Sequence, residues 1–241
     1  MNSPSRNKEI FLSVIMPAFN EAGRVEKVIR DHYQVLSSLE SPLKDWEILC
    51  LDDGSTDQTP EILDGLSRQL SKLRVVRHFV NQGIYRSYCD LFKEARGTHI
   101  YRTDSDGQWP TENLVKMLHY LASSEVDLII GVRENREQVY NSWRQILSFG
   151  FNWLAEAFFN VKTLDANGSK LGKKEIFDLP LLSQSFFGEI ERIVKAKGKG
   201  YKIGFIPIQY IPRSGGKSRA AKWKNIIFTL RDCLRYLVTR S

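Results

Sequence analysis

Short apolar runs that alternate with amphipathic helical stretches constrain this chain more than any other feature. "FLSVIMPAFN" is an apolar run stopped by Pro17 and reads as a buried strand. "EAGRVEKVIRDHYQVLSSL" follows, with Val25, Val28, Ile29, Val35, Leu36 and Leu39 at near-helical spacing. The unit then repeats. "WEILCLDD" is a strand, "GSTDQTP" a turn, and "EILDGLSRQLSKL" a helix with Thr59 as N-cap and Pro60 as its first residue. "RVVRHF" leads into a helix, "GIYRSYCDLFKEARG", that ends at Gly97. "THIYRT" leads through an acidic turn to a helix that starts near Pro110 and turns Leu114, Met117, Leu118 and Leu121 inward. "VDLIIGVR" and, later, "KIGFIPIQYIP" are further strands. Such alternation predicts an α/β fold with a mostly parallel sheet and right-handed crossovers.

A length of 241 residues suits one large domain with a C-terminal appendage and is short for two. The net charge of +7 favours anionic partners, and "KAKGKGYK" and "RSGGKSRAAKWK" place much of the excess after Lys195. Cys50, Cys89 and Cys233 lack metal-ligand spacing, which fits a reduced cytosolic compartment. There is no apolar run of roughly eighteen residues and no leader-like segment, so a soluble chain is expected, free to attach to a membrane surface. The tail "AAKWKNIIFTLRDCLRYLVTRS" reads as a basic amphipathic helix that either packs on the domain or docks on a membrane.

In parallel α/β sheets, function gathers at the carboxyl ends of the strands. The polar clusters "PAFNE", "DDGSTD" and "TDSDGQ" all fall there. Asp104 and Asp106 bracket a single residue, an arrangement that is either a solvated turn or a pair of ligands for Mg²⁺ or Mn²⁺. Those hard cations favour oxygen and share it with substrate phosphates. Gln108 adds a neutral oxygen. Asp52, Asp53 and Glu21 offer acceptors to a base or ribose, and Phe19 offers a ring to cover a base. Asp57 reads as turn chemistry or a helix cap. His32, His78, His99 and His119 share no spacing and read as structural or surface residues. "NSWRQILSFGFNWLAEAFFN" reads as helical core packing, with an apolar acceptor groove as the alternative.

"SVIMPAFNEAGRVEKVI", "LDDGSTDQT", "NQGIYRSYCDLFKEARGTHIYRTDSDGQWPTENL", "LIIGVR" and "FIPIQYIPRSGGKSR" resemble successive blocks of the family 2 glycosyltransferases. The resemblance is to the dolichyl-phosphate mannosyltransferase-like branch, whose members glycosylate polyprenyl phosphates. It is close over about residues 11–135, and the number and order of the blocks make it specific. It implies a GT-A-type, Rossmann-like nucleotide-diphospho-sugar transferase domain at 8–215. A nucleotide-sugar half would span about 8–135 and an acceptor half about 136–215, with a basic loop and amphipathic helix at 216–241.

The resemblance further implies that Pro17, Phe19, Glu21, Leu51 and Asp53 line the nucleoside pocket of a GDP- or UDP-sugar donor. Asp104, Ser105, Asp106 and Gln108 would meet a Mg²⁺ or Mn²⁺ ion and the diphosphate. Arg133, Arg144, Arg213 and Arg219 would face phosphates. Relatives carry an aspartate followed by a Ser-Gly-Phe-like turn, whereas this chain reads "DANGSKLGKK", which keeps Asp165 and Asn167 near the acceptor and replaces the aromatic with Ser169 and Lys170.

The implied reaction is inverting, with Asp106, Arg133, Arg213 and Asp165 as its catalytic set. A lipid phosphate acceptor, with a second pKa of roughly 6, needs no general base. Transfer to a saccharide or other hydroxyl in cell-envelope polysaccharide synthesis would need Asp165 or Asp106 to take the proton. The expected place is the cytoplasm, at the cytoplasmic face of the membrane when the acceptor is a lipid, with no nucleic-acid partner. A haloacid-dehalogenase-type phosphatase fits "DSDG" less well, because Gln108 follows Gly107 and three strand–helix units come first. A binding-only module would not need the acidic pair.

Overall fold

The computed structural model describes residues 10–39, 43–134, 165, 168–212 and 223–240. Among these residues seven strands form one sheet: β1 (Ile10–Ala18), β2 (Leu43–Asp53), β3 (Leu73–His78), β4 (His99–Arg102), β5 (Leu128–Arg133), β6 (Lys170–Lys173) and β7 (Ile203–Ile208). Their order is β3-β2-β1-β4-β6-β5-β7. Only β6 runs antiparallel to its neighbours, β4 and β5. The chain winds outward from β1 to β3 and then returns to the other side of β1 with β4. A crevice opens at such a reversal, outside the carboxyl ends of the strands.

Alternate side chains of a strand point to opposite faces. Leu12, Val14 and Met16 of β1 enter one core while Ile15 enters the other. The first core is closed by α1 (Val25–Ser38), α2 (Thr59–Gln69) and α4 (Glu112–Ser123). The second is closed by α3 (Ile84–Glu94), the short α5 (Lys174–Phe177), α6 (Gly188–Gly198) and α7 (Trp223–Arg240). Helices on both faces of a mostly parallel sheet are the α/β architecture that the alternation predicts.

Two local expectations are corrected. Helix α2 is capped at Gln58, one residue early, and Thr59 is buried, with its hydroxyl accepting the Glu21 amide at 2.9 Å. Helix α3 stops at Glu94, so Gly97 does not end it. Gly97 is needed for close approach instead: a Cβ there would lie 2.6 Å from the Ser13 amide nitrogen. The cysteines are free thiols.

Candidate active site

The rim is built by loops that zip together at the ends of β1 and β2. Asn20, held at φ 55°, receives a hydrogen bond on its side-chain oxygen from the Thr56 amide and donates its own amide to Ser55. The Glu21 and Ala22 amides donate to Thr59 and Asp57, and Asp57 also accepts the Thr59 amide at the start of α2. Asp57 is thus turn chemistry and a helix-end acceptor, as its sequence position suggests. The Pro17 carbonyl accepts the Ser105 hydroxyl at 2.7 Å, which ties β1 to the acidic turn.

Sequence-selected residues of the nucleoside side lie around this rim with different exposures. Phe19 and Glu21 are partly exposed on the β1 loop, with Glu21 3.5 Å from Arg24. Leu51 is fully buried in the second core. Asp53 is a clamp for the loop after β3. Its carboxylate accepts the Gln82 and Gly83 amides at 2.8 Å each, the Asn81 side chain at 2.9 Å, and faces His78 Nδ1 at 2.7 Å. Asp53→Asn, which keeps one acceptor oxygen of two, is expected to cost about 1–3 kcal/mol. The measurement is hydrogen exchange at the Gln82 and Gly83 amides, and unchanged protection would remove the clamp.

The acidic turn leaves β4 directly. Gly107 takes φ 75°, and the Gln108 amide donates to Asp106 Oδ1 at 3.0 Å. Gln108 is tied to the far side of the site, where its backbone carbonyl and side-chain amide both meet Ile211. Asp104 is held by two donors that the sequence did not single out. The Tyr88 hydroxyl lies 2.5 Å from Oδ1, and Trp109 Nε1 donates to Oδ2 at 2.9 Å. Burial, and then the adjacent carboxylate, raise the Tyr88 hydroxyl well above its ordinary pKa, so it remains a donor.

Across the site Arg133, the last residue of β5, meets Asp165. Arg133 Nε and Nη2 donate to the two carboxylate oxygens at 2.6 Å each, with both residues buried. The guanidinium also lies 5.6 Å from the Trp109 ring and 5.2 Å from the Tyr210 ring. Tyr88, Asp104, Trp109, Arg133 and Asp165 therefore form one continuous chain of contacts. Arg144, Arg213, Arg219 and Asn167 lie outside the described residues.

A buried ionic cluster supports this chain from below. Arg102, which precedes Thr103 and Asp104, stacks on the Tyr88 ring at 4.0 Å and lies 3.3 Å from Glu189. Lys170, fully buried, meets the same Glu189 oxygen at 2.8 Å. Burial lowers the Lys170 ammonium to about 8 against the pull of Glu189. Burial alone would raise the Glu189 carboxyl, but the surrounding Lys170 and Arg102 charges outweigh it and hold the group far below its usual range. Ser169, beside Lys170, donates to the Arg102 carbonyl at 2.6 Å. Trp109 could have been found from its place in "DSDGQW". Tyr88 and Glu189 carry no sequence signal, since a tyrosine on an amphipathic helix reads as core and a charged residue beside a glycine ordinarily reads as surface; Lys170 was visible only as a departure from the relatives' turn.

Among the described residues no group of three or more His, Cys, Asp or Glu side chains could form a metal cage. The donor set does fit a hard cation that completes its oxygen shell with substrate phosphates. Asp104 and Asp106 are the residues that would hold it.

Residues 13–180 match the family model described as Glycosyl transferase family 2. The chain is 27% identical to dolichyl-phosphate beta-glucosyltransferase of Saccharomyces cerevisiae, over 92% of this chain and 73% of that protein. It is 26% identical to glycosyltransferase AglD of Haloferax volcanii, over 86% of this chain but only 34% of that protein, so it spans about a third of AglD. In fold it is similar to mannosyl-3-phosphoglycerate synthase from Rubrobacter xylanophilus, with a TM-score of 0.71 at 17% identity over 96% of this chain and 75% of that one. It is also similar to mannosyltransferase PcManGT from Pyrobaculum calidifontis, solved with GDP-Man and Mn²⁺, with a TM-score of 0.67 at 18% identity over 97% of this chain and 66% of that one. Motif blocks, strand order and the matched span agree, and the chain belongs to glycosyl transferase family 2.

Proposed function

We propose that the chain transfers a hexose from a nucleotide-diphospho-sugar to a polyprenyl phosphate, with inversion and with the help of a divalent cation. The observation that carries this reading is the placement of the Asp104–Asp106 turn at the carboxyl end of β4, beside the sheet's reversal point. A dolichyl-phosphate glucosyltransferase among the relatives supports a lipid phosphate as acceptor.

In this reaction an acceptor phosphate oxygen forms a bond to the anomeric carbon. The bond from that carbon to the donor's diphosphate breaks on the opposite face, and the nucleoside diphosphate leaves with the electron pair. Bound at Asp104 and Asp106, the cation would supply positive charge where the leaving diphosphate gains negative charge. The acceptor is already anionic at neutral pH, so no side chain has to remove a proton. Asp165, one of the two acids that a hydroxyl acceptor would call on, is instead held by Arg133 on both oxygens. That pairing of Asp165 supports a phosphate acceptor, which needs no base, and leaves Asp106 as the acid a hydroxyl acceptor would have to use.

The deciding experiment follows nucleoside diphosphate release from a panel of GDP- and UDP-sugars with Mn²⁺, Mg²⁺ or EDTA, with and without a polyprenyl phosphate. Release that needs both the metal and the lipid phosphate is expected with one donor. Equal release with a saccharide or phosphoglycerate in place of the lipid would overturn the acceptor assignment.

A further inference from the structure

We propose that the outward face of α7 is a docking surface for an anionic lipid membrane. The helix is two-sided. Thr229, Asp232, Cys233 and Tyr236 are buried on its inner side, where Asp232 accepts the Gln184 amide at 2.9 Å and the Tyr236 ring packs 5.8 Å from Phe187. Packing on the domain is therefore satisfied without the rest of the helix. Opposite that side, Ile227 (63% exposed), Leu230 (47%), Leu234 (63%) and Val238 (79%) face outward. At about 100° per residue these four fall within an arc of roughly 80°. Four large aliphatic side chains in one exposed stripe are costly in water unless something covers them.

Charge selects the occupant. Asp232 is the one carboxylate in the helix sequence, and it is turned inward. Arg231 and Arg235 lie together along one flank of the stripe, both exposed; Arg231 is 62% exposed even though its guanidinium lies 3.6 Å from Asp232. An exposed apolar stripe flanked by arginines, with no outward acid, matches the boundary between acyl chains and anionic headgroups. No helix among the described residues is long and apolar enough to cross a membrane, so contact through this helix would be at the surface.

The inner side of α7 is tied toward α3 through the 182–185 turn. The Gln184 bond to Asp232 places the 182–185 turn against α7, and the Tyr85 hydroxyl donates to the Ser183 carbonyl at 2.9 Å. Leu182 (39% exposed) lies on that turn and Ile84 (43%) at the start of α3, the helix that carries Tyr88. The inference rests on the lipid-acceptor reading for its purpose, which is to hold the protein where a membrane-bound acceptor lies.

The test is partitioning of the full chain onto phosphatidylcholine vesicles with and without phosphatidylglycerol, with neither donor nor polyprenyl phosphate present. Binding is expected only with phosphatidylglycerol and should weaken as salt is raised. Leu234→Asp and, independently, Val238→Asp are expected to reduce it by roughly tenfold or more, with melting temperature and donor-induced stabilisation unchanged. Equal partitioning of wild type and both variants, or no partitioning of wild type, would overturn the proposal. So would a concentration-dependent dimer, seen by sedimentation equilibrium without lipid and lost in Leu234→Asp, since a second copy would then cover the stripe. Vesicle binding in a protein that transfers no sugar would uphold the docking face and sink the proposed function alone.

Discussion

Asp106→Asn is expected to slow sugar transfer by roughly two to three orders of magnitude while leaving the fold intact. The substitution keeps the shape of the side chain and the oxygen that accepts the Gln108 amide, so the turn through Gly107 keeps its geometry. What disappears is one negative charge at the place where a cation would bridge protein and diphosphate. Asp104 would then supply the only carboxylate charge of the pair, and Tyr88 and Trp109 fix it in place so that it cannot shift to make up the loss. The corresponding change at Asp104 would be a blunter test, since an amide group cannot accept both donors and one would be left facing another N–H or O–H group. For Asp106→Asn the measurements are turnover, melting temperature and Mn²⁺-dependent stabilisation by the donor. Wild-type turnover would remove the acidic pair from the chemistry and return it to a solvated turn.

The fold was legible wherever burial on both sides of the sheet wrote a long apolar signal. β1, β2 and β5 were readable because buried residues outnumber everything else in each, and α1 and α4 because their buried residues recur at helical spacing. β6 was not, since it is four residues long, begins and ends in lysine, and gains its identity only by antiparallel pairing with strands distant in sequence. α6 was missed for a related reason. Glu189, Glu191 and Arg192 are charged types that ordinarily sit at the surface, yet all three are buried, with Glu189 paired to Lys170 and Arg102 and Glu191 capping the Leu182 and Ser183 amides.

The site divides in the same way. The acidic turn and the zipped loops at the ends of β1 and β2 were legible, because short polar clusters after apolar strands have few uses other than turns and ligands. The supports of Asp104 were not. Tyr88 sits at an ordinary core position of an amphipathic helix, and only the register of β4 beside β1 brings Asp104 within reach of its hydroxyl. Asp53 shows the opposite limit. Its sequence setting suggests a ligand acceptor, while in the structure its oxygens organise the loop after β3.

Arg133→Ala is expected to destabilise the protein by about 3–5 kcal/mol and to abolish measurable transfer. Removing the guanidinium leaves Asp165, buried to within 1% exposure, without either of its 2.6 Å donors. At about 2–4 °C per kcal/mol for a chain of this size, the melting temperature should fall by roughly 10 °C. Asp165→Ala should act alike, because it strands the guanidinium between Trp109 and Tyr210. A double variant, Arg133→Met with Asp165→Leu, separates the two roles of the pair. Both buried charges are then gone, so much of the stability should return, as it does when buried ion pairs are replaced by apolar groups of similar volume. Transfer should not return, because the arginine that joins the acidic turn, through Trp109, to the segment at Asp165 is missing. A double variant that regained both stability and turnover would make the pair a packing device, and the electrostatic role assigned to Arg133 would fall with it.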